Sequence, residues 1–154
     1  MEFIKMRQDK HFQRSNTEAY VFAKCLIEHM GNLLITGGAG FIGSALAKRA
    51  FSKGWDVRVI DDLSTGLKST ADNLREQGIE VIEGDIRDTE LLNEAMKGCD
   101  AVAHLAAQVS VPLSVSNPEE TMSINVDGTS KVIAACLKHG VKRLVMASSA
   151  AVYG

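Results

Sequence analysis

Three cysteines, Cys25, Cys99 and Cys136, stand far apart, odd in number and without C-x-x-C spacing. That pattern suggests neither a disulfide framework nor a metal site, and a reducing cytoplasm is the compartment that fits it. No stretch comes near the roughly 20 uninterrupted apolar residues that span a bilayer. The basic N-terminus leads into no signal-type apolar segment, because Lys24 interrupts it, so the chain reads as neither exported nor membrane-embedded. Excess charge of one sign is lacking too: 17 basic against 19 acidic residues leave a formal charge of -2, which predicts no nucleic-acid partner. There is no repeat of domain-building length, no low-complexity tract and no linker. What remains, with 45% hydrophobic and 23% charged residues in a chain of 154, is one ordinary globular unit.

Residues 1–14 mix charges without periodicity and read as a loose terminus. Ser15 and Glu18 have capping-box spacing, and Tyr20, Ala23 and Ile27 share one side of a short amphipathic helix. Residues 1–29 are therefore read as an N-terminal extension and 30–154 as the folded domain. From Leu33 onward apolar runs alternate with helical patterns. Strands are predicted at Leu33–Thr36, Val57–Ile60, Ile79–Glu83, Ala101–Leu105 and Arg143–Ala147, and helices at 41–53, 69–77, 88–97 and 118–139, with a loop holding Pro112 and Pro118. The runs LLIT, VRVI and RLVM are almost continuously apolar, as strands covered on both faces require. The fold class that follows is α/β, a Rossmann-type doubly wound parallel sheet of five strands.

Gly37, Gly40 and Gly43 lie between the first strand and the first helix, where backbone N–H groups and a positive helix end can face a pyrophosphate. Gly37 permits a tight turn, Gly40 lets phosphate approach the backbone, and Gly43 allows close packing of the helix. Alone this spacing is equally compatible with an ordinary turn. Asp61 ends the second strand 18 residues after Gly43, where a carboxylate accepts hydrogen bonds from an adenosine ribose and repels a 2′-phosphate. NAD is therefore expected over NADP, although Arg58 and Lys68 lie close enough in sequence to offer phosphate compensation. Asp62 is a second acidic candidate, or a solvated turn residue. Asp85, after the third strand, reads as an acceptor for the adenine amine, as a helix N-cap, or as both. His104 reads as structural. Ser148 and Ser149 end the fifth strand at the same sheet edge.

Together the segments LLITGGAGFIGSALA, VIDDLSTG, GDIRD, HLAAQVSVPLSVSNP, NVDGT and ASSAAVYG resemble the extended short-chain dehydrogenase/reductase family, in particular its NAD-dependent epimerase/dehydratase branch of the UDP-glucose 4-epimerase type. The resemblance runs from Gly31 to Gly154. It implies that Gly37, Gly40, Phe41 and Ile42 hold the pyrophosphate, Asp61 the ribose, and Asp85 and Ile86 the adenine, with Leu105, Ala106 and Ala107 along the cofactor path. It also implies that Asn125 lies near the nicotinamide and that Ser149 bonds the reacting sugar hydroxyl. Ala150 and Ala151 stand where dehydratases of the family carry an acidic pair, which favours epimerase. The implied substrate is a nucleotide sugar, whose identity the sequence does not reveal.

The family's Tyr-x-x-x-Lys pair is expected some tens of residues beyond the SSAAVYG segment, and Tyr153 is not that tyrosine. The expectation is accordingly the NAD-binding portion of an epimerase, inactive by itself, with a non-catalytic NAD-binding module or a truncated remnant as alternatives. Val126, Val132, Ile133 and Leu137 on the helix 118–139 are expected to be partly uncovered, and that helix to offer a homodimer contact.

Overall fold

Alternate residues of the first strand serve two different cores, and that division organises the molecule. In the computed structural model, which describes residues 31–149, β1 (Asn32–Thr36) is flanked by β2 (Asp56–Asp61) and β4 (Ala101–His104), with β3 (Glu80–Glu83) and β5 (Arg143–Met146) at the edges. All four pairings are parallel, giving the order β3-β2-β1-β4-β5. Leu33 and Ile35 point into a cluster with Leu46, Ala47, Trp55, Val57 and Val59. Leu34 points the other way, to Ile60, Leu92, Met96, Val102, Val132 and Cys136. A strand with both faces under helices is apolar at every position, which is why LLIT carries no alternation.

The helices are α1 (Phe41–Phe51), α2 (Lys68–Glu76), α3 (Thr89–Ala95), α4 (Val111–Ser116), α5 (Pro118–Met122) and α6 (Thr129–His139). Helix α3 is capped by Asp88, whose carboxylate accepts from the N–H of Glu90 and Leu91 at 2.9 and 3.1 Å. The capping role weighed for Asp85 thus belongs to Asp88. Helix α6 ends at Gly140, whose φ of +65° suits a residue without Cβ.

Three expectations need correction. The segment around Pro112 is not a plain loop: Ser110 caps α4 with Pro112 in its first turn, and Asn117 caps α5 with Pro118 in its first turn. Nor is 118–139 a uniform α-helix, because a π-helical turn, Ser123–Gly128, joins α5 to α6. Side-chain demands account for it: Asn125 is drawn to the backbone of Gln108, and Gly128 lies so close to Ile86 that a Cβ there would sit 2.6 Å from Ile86 Cδ1. On α6, Ile133 and Leu137 are exposed as expected, and so is Val126 in the π turn, but Val132 is fully buried in the second core. The free thiols of Cys99 and Cys136 lie in that core as well.

No helix among the described residues is long and apolar enough to cross a membrane. The N-terminal extension, with its predicted helix, and residues 150–154 lie outside the described residues.

The tightest packing demand falls on Gly43, where a Cβ would stand 2.2 Å from the Gly37 carbonyl oxygen and 2.6 Å from Gly38 Cα. Gly43→Ala is expected to destabilise the fold by about 1–3 kcal/mol, the range for overpacking against an unyielding backbone. Denaturant unfolding followed through Trp55, the single tryptophan and itself buried, measures it.

Candidate functional site

In a parallel sheet of this order the chain leaves β1 toward one side and β4 toward the other, opening a crevice beyond their carboxyl ends. A cavity of about 910 Å³ occupies it, within the roughly 300–1,000 Å³ of small-molecule sites. Every residue predicted for the site lines this cavity: Gly37, Gly40, Phe41, Ile42, Gly43, Asp61, Asp62, Asp85, Ile86, Leu105, Ala106, Ala107, Asn125 and Ser149.

The glycine turn forms its floor. Gly37 has φ +71°, donates its N–H to Ile60 O at 2.8 Å, and lies so close to β4 that a Cβ would come within 2.7 Å of Ala106 N. Gly40 differs: a Cβ there would meet only the Gly37 oxygen, at 3.3 Å, and otherwise project into open space. It is also the N-cap of α1, without a side-chain cap and without an acidic residue in the first turn. The first N–H groups of α1, beyond reach of any intrahelical carbonyl, are therefore left for an anion.

Asp61 is buried, and two backbone groups aim its carboxylate: Ala39 N–H donates to Oδ2 at 2.8 Å and Leu63 N–H to Oδ1 at 2.9 Å. Each oxygen keeps a further lone pair. Asp62 is exposed and closes a turn through Ser64, accepting from both its N–H and its hydroxyl, while still facing the cavity. Asp85 is held by Arg87, whose backbone N–H donates to Oδ1 at 2.7 Å and whose Nε donates to both oxygens; these bonds hold its carboxyl below the usual carboxylate range. Arg87 in turn reaches Glu120 and Ser123, tying this end of the cavity to α5 and the π turn.

The two cations that left the dinucleotide open do not contribute to the site. Arg58 is committed to Glu80 at 2.8 Å and to the carbonyls of Ala95 and Lys97 at the end of α3, and neither it nor Lys68 lines the cavity. Among the described lining residues there is no lysine or arginine, and three are aspartates.

At the β4 end, His104 is buried between two threonines, with Nδ1 2.7 Å from Thr36 Oγ1 and Nε2 2.9 Å from Thr129 Oγ1. Thr36 Oγ1 already accepts from Leu105 N–H and Ala106 N–H, at 3.2 and 3.3 Å. Its own proton therefore goes to Nδ1, leaving the imidazole neutral with its proton on Nε2, donated to Thr129. Burial lowers the His104 pKa, in accord with a neutral ring. Both ring nitrogens are thus taken up by threonines, and the histidine holds the chain where Leu105 and Ala106 enter the cavity. Asn125 does the same farther along, accepting from Gln108 N–H at 2.8 Å and donating to Gln108 O at 3.0 Å. Thr36, Thr129, Gln108 and Arg87 were not singled out from the sequence. Their partners lie up to 70 positions away, as with Thr36 and Ala106, so no spacing marks them.

A profile described as the NAD dependent epimerase/dehydratase family matches residues 33–154. The UDP-glucose 4-epimerase of Streptomyces lividans is 39% identical over 127 residues, covering 80% of this chain and 37% of that protein. The dTDP-glucose 4,6-dehydratase of Mycobacterium tuberculosis is 39% identical over 125 residues, covering 79% of this chain and again 37% of the relative. Among solved structures, the UDP-glucose 4-epimerase of Stenotrophomonas maltophila with bound NAD and formylated UDP-arabinopyranose superposes with a TM-score of 0.75 at 36% identity, over 82% of this chain and 39% of that one. The chain thus spans well under half the length of the relatives it matches.

The His104 geometry predicts a pH dependence of stability. Its folded pKa lies below the ordinary value of 6.5, so the neutral ring's contribution is complete above about pH 6.5 and is lost as the pH falls through that value toward the folded pKa. Denaturant unfolding at pH 7.5 and 5.5 should show falling stability, with a distinctly smaller fall in His104→Gln. Parallel slopes for the two proteins would refute the assignment.

Proposed function

The chain belongs to the NAD dependent epimerase/dehydratase family, and we propose that residues 30–154 are the NAD-binding portion of a nucleotide-sugar epimerase of the UDP-glucose 4-epimerase type. One observation carries the cofactor reading: an open glycine-lined helix end faces the same cavity as a buried carboxylate fixed by two backbone N–H groups, with no cation among the described residues lining it. The pyrophosphate would rest on the backbone from Gly37 to Gly43, where Gly40 leaves it room. Asp61 would accept from the adenosine ribose, and Asp85 and Ile86 would bound the adenine. Leu105, Ala106 and Ala107 leave a narrow apolar path, and Asn125, through Gln108, keeps that path in place at the nicotinamide end. Ser149 would bond the sugar hydroxyl.

The chemistry that a bound NAD supplies in such a site is reversible hydride transfer at a sugar hydroxyl carbon. This chain's own part is to bind and orient NAD and to exclude NADP, whose 2′-phosphate would meet the aspartates. Epimerase is preferred to dehydratase because Ala150 and Ala151 occupy the positions of the acidic pair, although a dehydratase relative matches equally well in identity. The reading includes a homodimer through the 118–139 segment, supported by the exposure of Ile133 and Leu137.

No counterpart of the family's tyrosine–lysine pair follows Ser149 within this sequence, so dinucleotide binding without sugar turnover is expected of these 154 residues. A Tyr-x-x-x-Lys spacing does occur at Tyr20 and Lys24, ahead of β1 and outside the described residues. Assayed with UDP-galactose and NAD, the chain should show no epimerisation, and activity lost on Tyr20→Phe would show that the early pair serves instead.

Calorimetry tests the cofactor. NAD should bind in preference to NADP, and Asp61→Ala should weaken NAD by about tenfold or more, the scale of a hydrogen bond to a charged group, while NADP is weakened less or gains. Equal losses for the two dinucleotides would remove Asp61 from the ribose site.

A further inference from the structure

The loop after β2 contains a contact that neither the glycine motif nor the family resemblance assigns. Leu63 is the one non-glycine residue among those described with a left-handed backbone, φ +57°, and its N–H is the group that donates to Asp61 Oδ1. For a branched side chain that conformation is sterically unfavourable and persists only where its surroundings demand it. The reversal at Leu63 turns the chain back so that Gly66 lies against the carboxylate. A Cβ on Gly66 would stand 2.6 Å from Asp61 Oδ1, 3.1 Å from Asp61 Cγ and 2.9 Å from Ala39 Cβ. Ala39 is the residue whose N–H holds the other oxygen, Oδ2. The carboxylate is thus gripped by two N–H groups and covered on a third side by backbone that has no room for a side chain.

We propose that Gly66 is a positioning residue for Asp61, and that the missing side chain at 66 aims the carboxylate at the 2′-hydroxyl of a bound adenosine ribose. The obstructing atoms are the carboxyl group itself and a methyl on the glycine turn, neither a flexible chain end. Any side chain at 66 must lift the loop, withdrawing the Leu63 N–H, or push the carboxylate into the space of the ribose. The proposal rests on the cofactor reading above and adds to it a residue that need not touch the ligand.

ADP and 2′-deoxy-ADP are the probes, titrated into the full chain. The unaltered chain should bind ADP about tenfold or more tightly than 2′-deoxy-ADP, as expected for a hydroxyl donating to a carboxylate. In Gly66→Ala that preference should fall to about threefold or less, with 2′-deoxy-ADP binding nearly unchanged; a general loosening of structure would weaken both ligands alike and overturn the proposal. Undiminished preference in Gly66→Ala overturns it while leaving the cofactor reading intact. Failure of the unaltered chain to bind ADP at millimolar concentration, or to prefer it, overturns both. Should Gly66→Ala fold poorly, the cycle with Asp61→Ala decides. Truncating Asp61 removes the carboxyl group, the closer of the two obstructions, and leaves the Ala39 methyl, so the loss of melting temperature caused by Gly66→Ala should shrink by at least half in that background. An equal loss in both backgrounds overturns the proposal.

Discussion

Everything at the carboxyl edge of the sheet depends on how closely three pieces of backbone meet at Gly37. Its N–H takes the carbonyl of Ile60 at the end of β2, its Cα lies against the Leu105–Ala106 backbone leaving β4, and its own oxygen is overlain by Gly43 of α1. Side chains at 37 or 43 would separate these pieces. With them together, the N-terminus of α1, the carboxylate of Asp61 and the entry of the β4 chain face one cavity. The site is built from backbone proximity first, and side chains are added to that frame.

A second tier of interactions holds the frame through side-chain bonds between elements. The Thr36–His104–Thr129 chain ties β1, β4 and α6 together from inside, and both of its ring nitrogens are used. The π turn brings Asn125 to Gln108 and Gly128 to Ile86, so the segment between α5 and α6 touches both ends of the cavity. Arg87 bridges Asp85 to the same segment. A regular α-helix from 118 to 139 would place these residues out of register with their partners, which is a physical reason for the departure from α geometry. The acidic rim then follows without further cost: three aspartates face the cavity, while Arg58 is held by Glu80 and the carbonyls at the end of α3.

Much of this was legible along the chain because it rests on local rules. Unbroken apolar runs announced strands covered on both faces, glycine spacing announced a turn ahead of a helix, and acidic residues at the ends of β2 and β3 announced groups at one sheet edge. Distant partners decided part of what was misread, and local helix caps decided the rest. Arg58 is a plausible phosphate ligand by proximity in sequence and is excluded only by Glu80, 22 positions on, and by the end of α3. Val132 sits on a helix expected to be partly bare and is buried because α6 packs on α3. Asp85 resembled a cap, but Asp88 is in register with the first turn of α3.

The sequence by itself determined the alternation of strands and helices, the parallel sheet it implies, and which residue types gather at the carboxyl edge, since these follow from hydrophobic periodicity and from the steric freedom of glycine. Only the tertiary structure decided how the carboxylates are aimed and which cations are withdrawn. It also set the tautomer of His104, the winding of the 123–128 turn, and the need for a bare backbone at Gly66. These depend on contacts of a few ångströms between residues far apart in the chain, and distances of that kind are set by packing in three dimensions rather than by position along it.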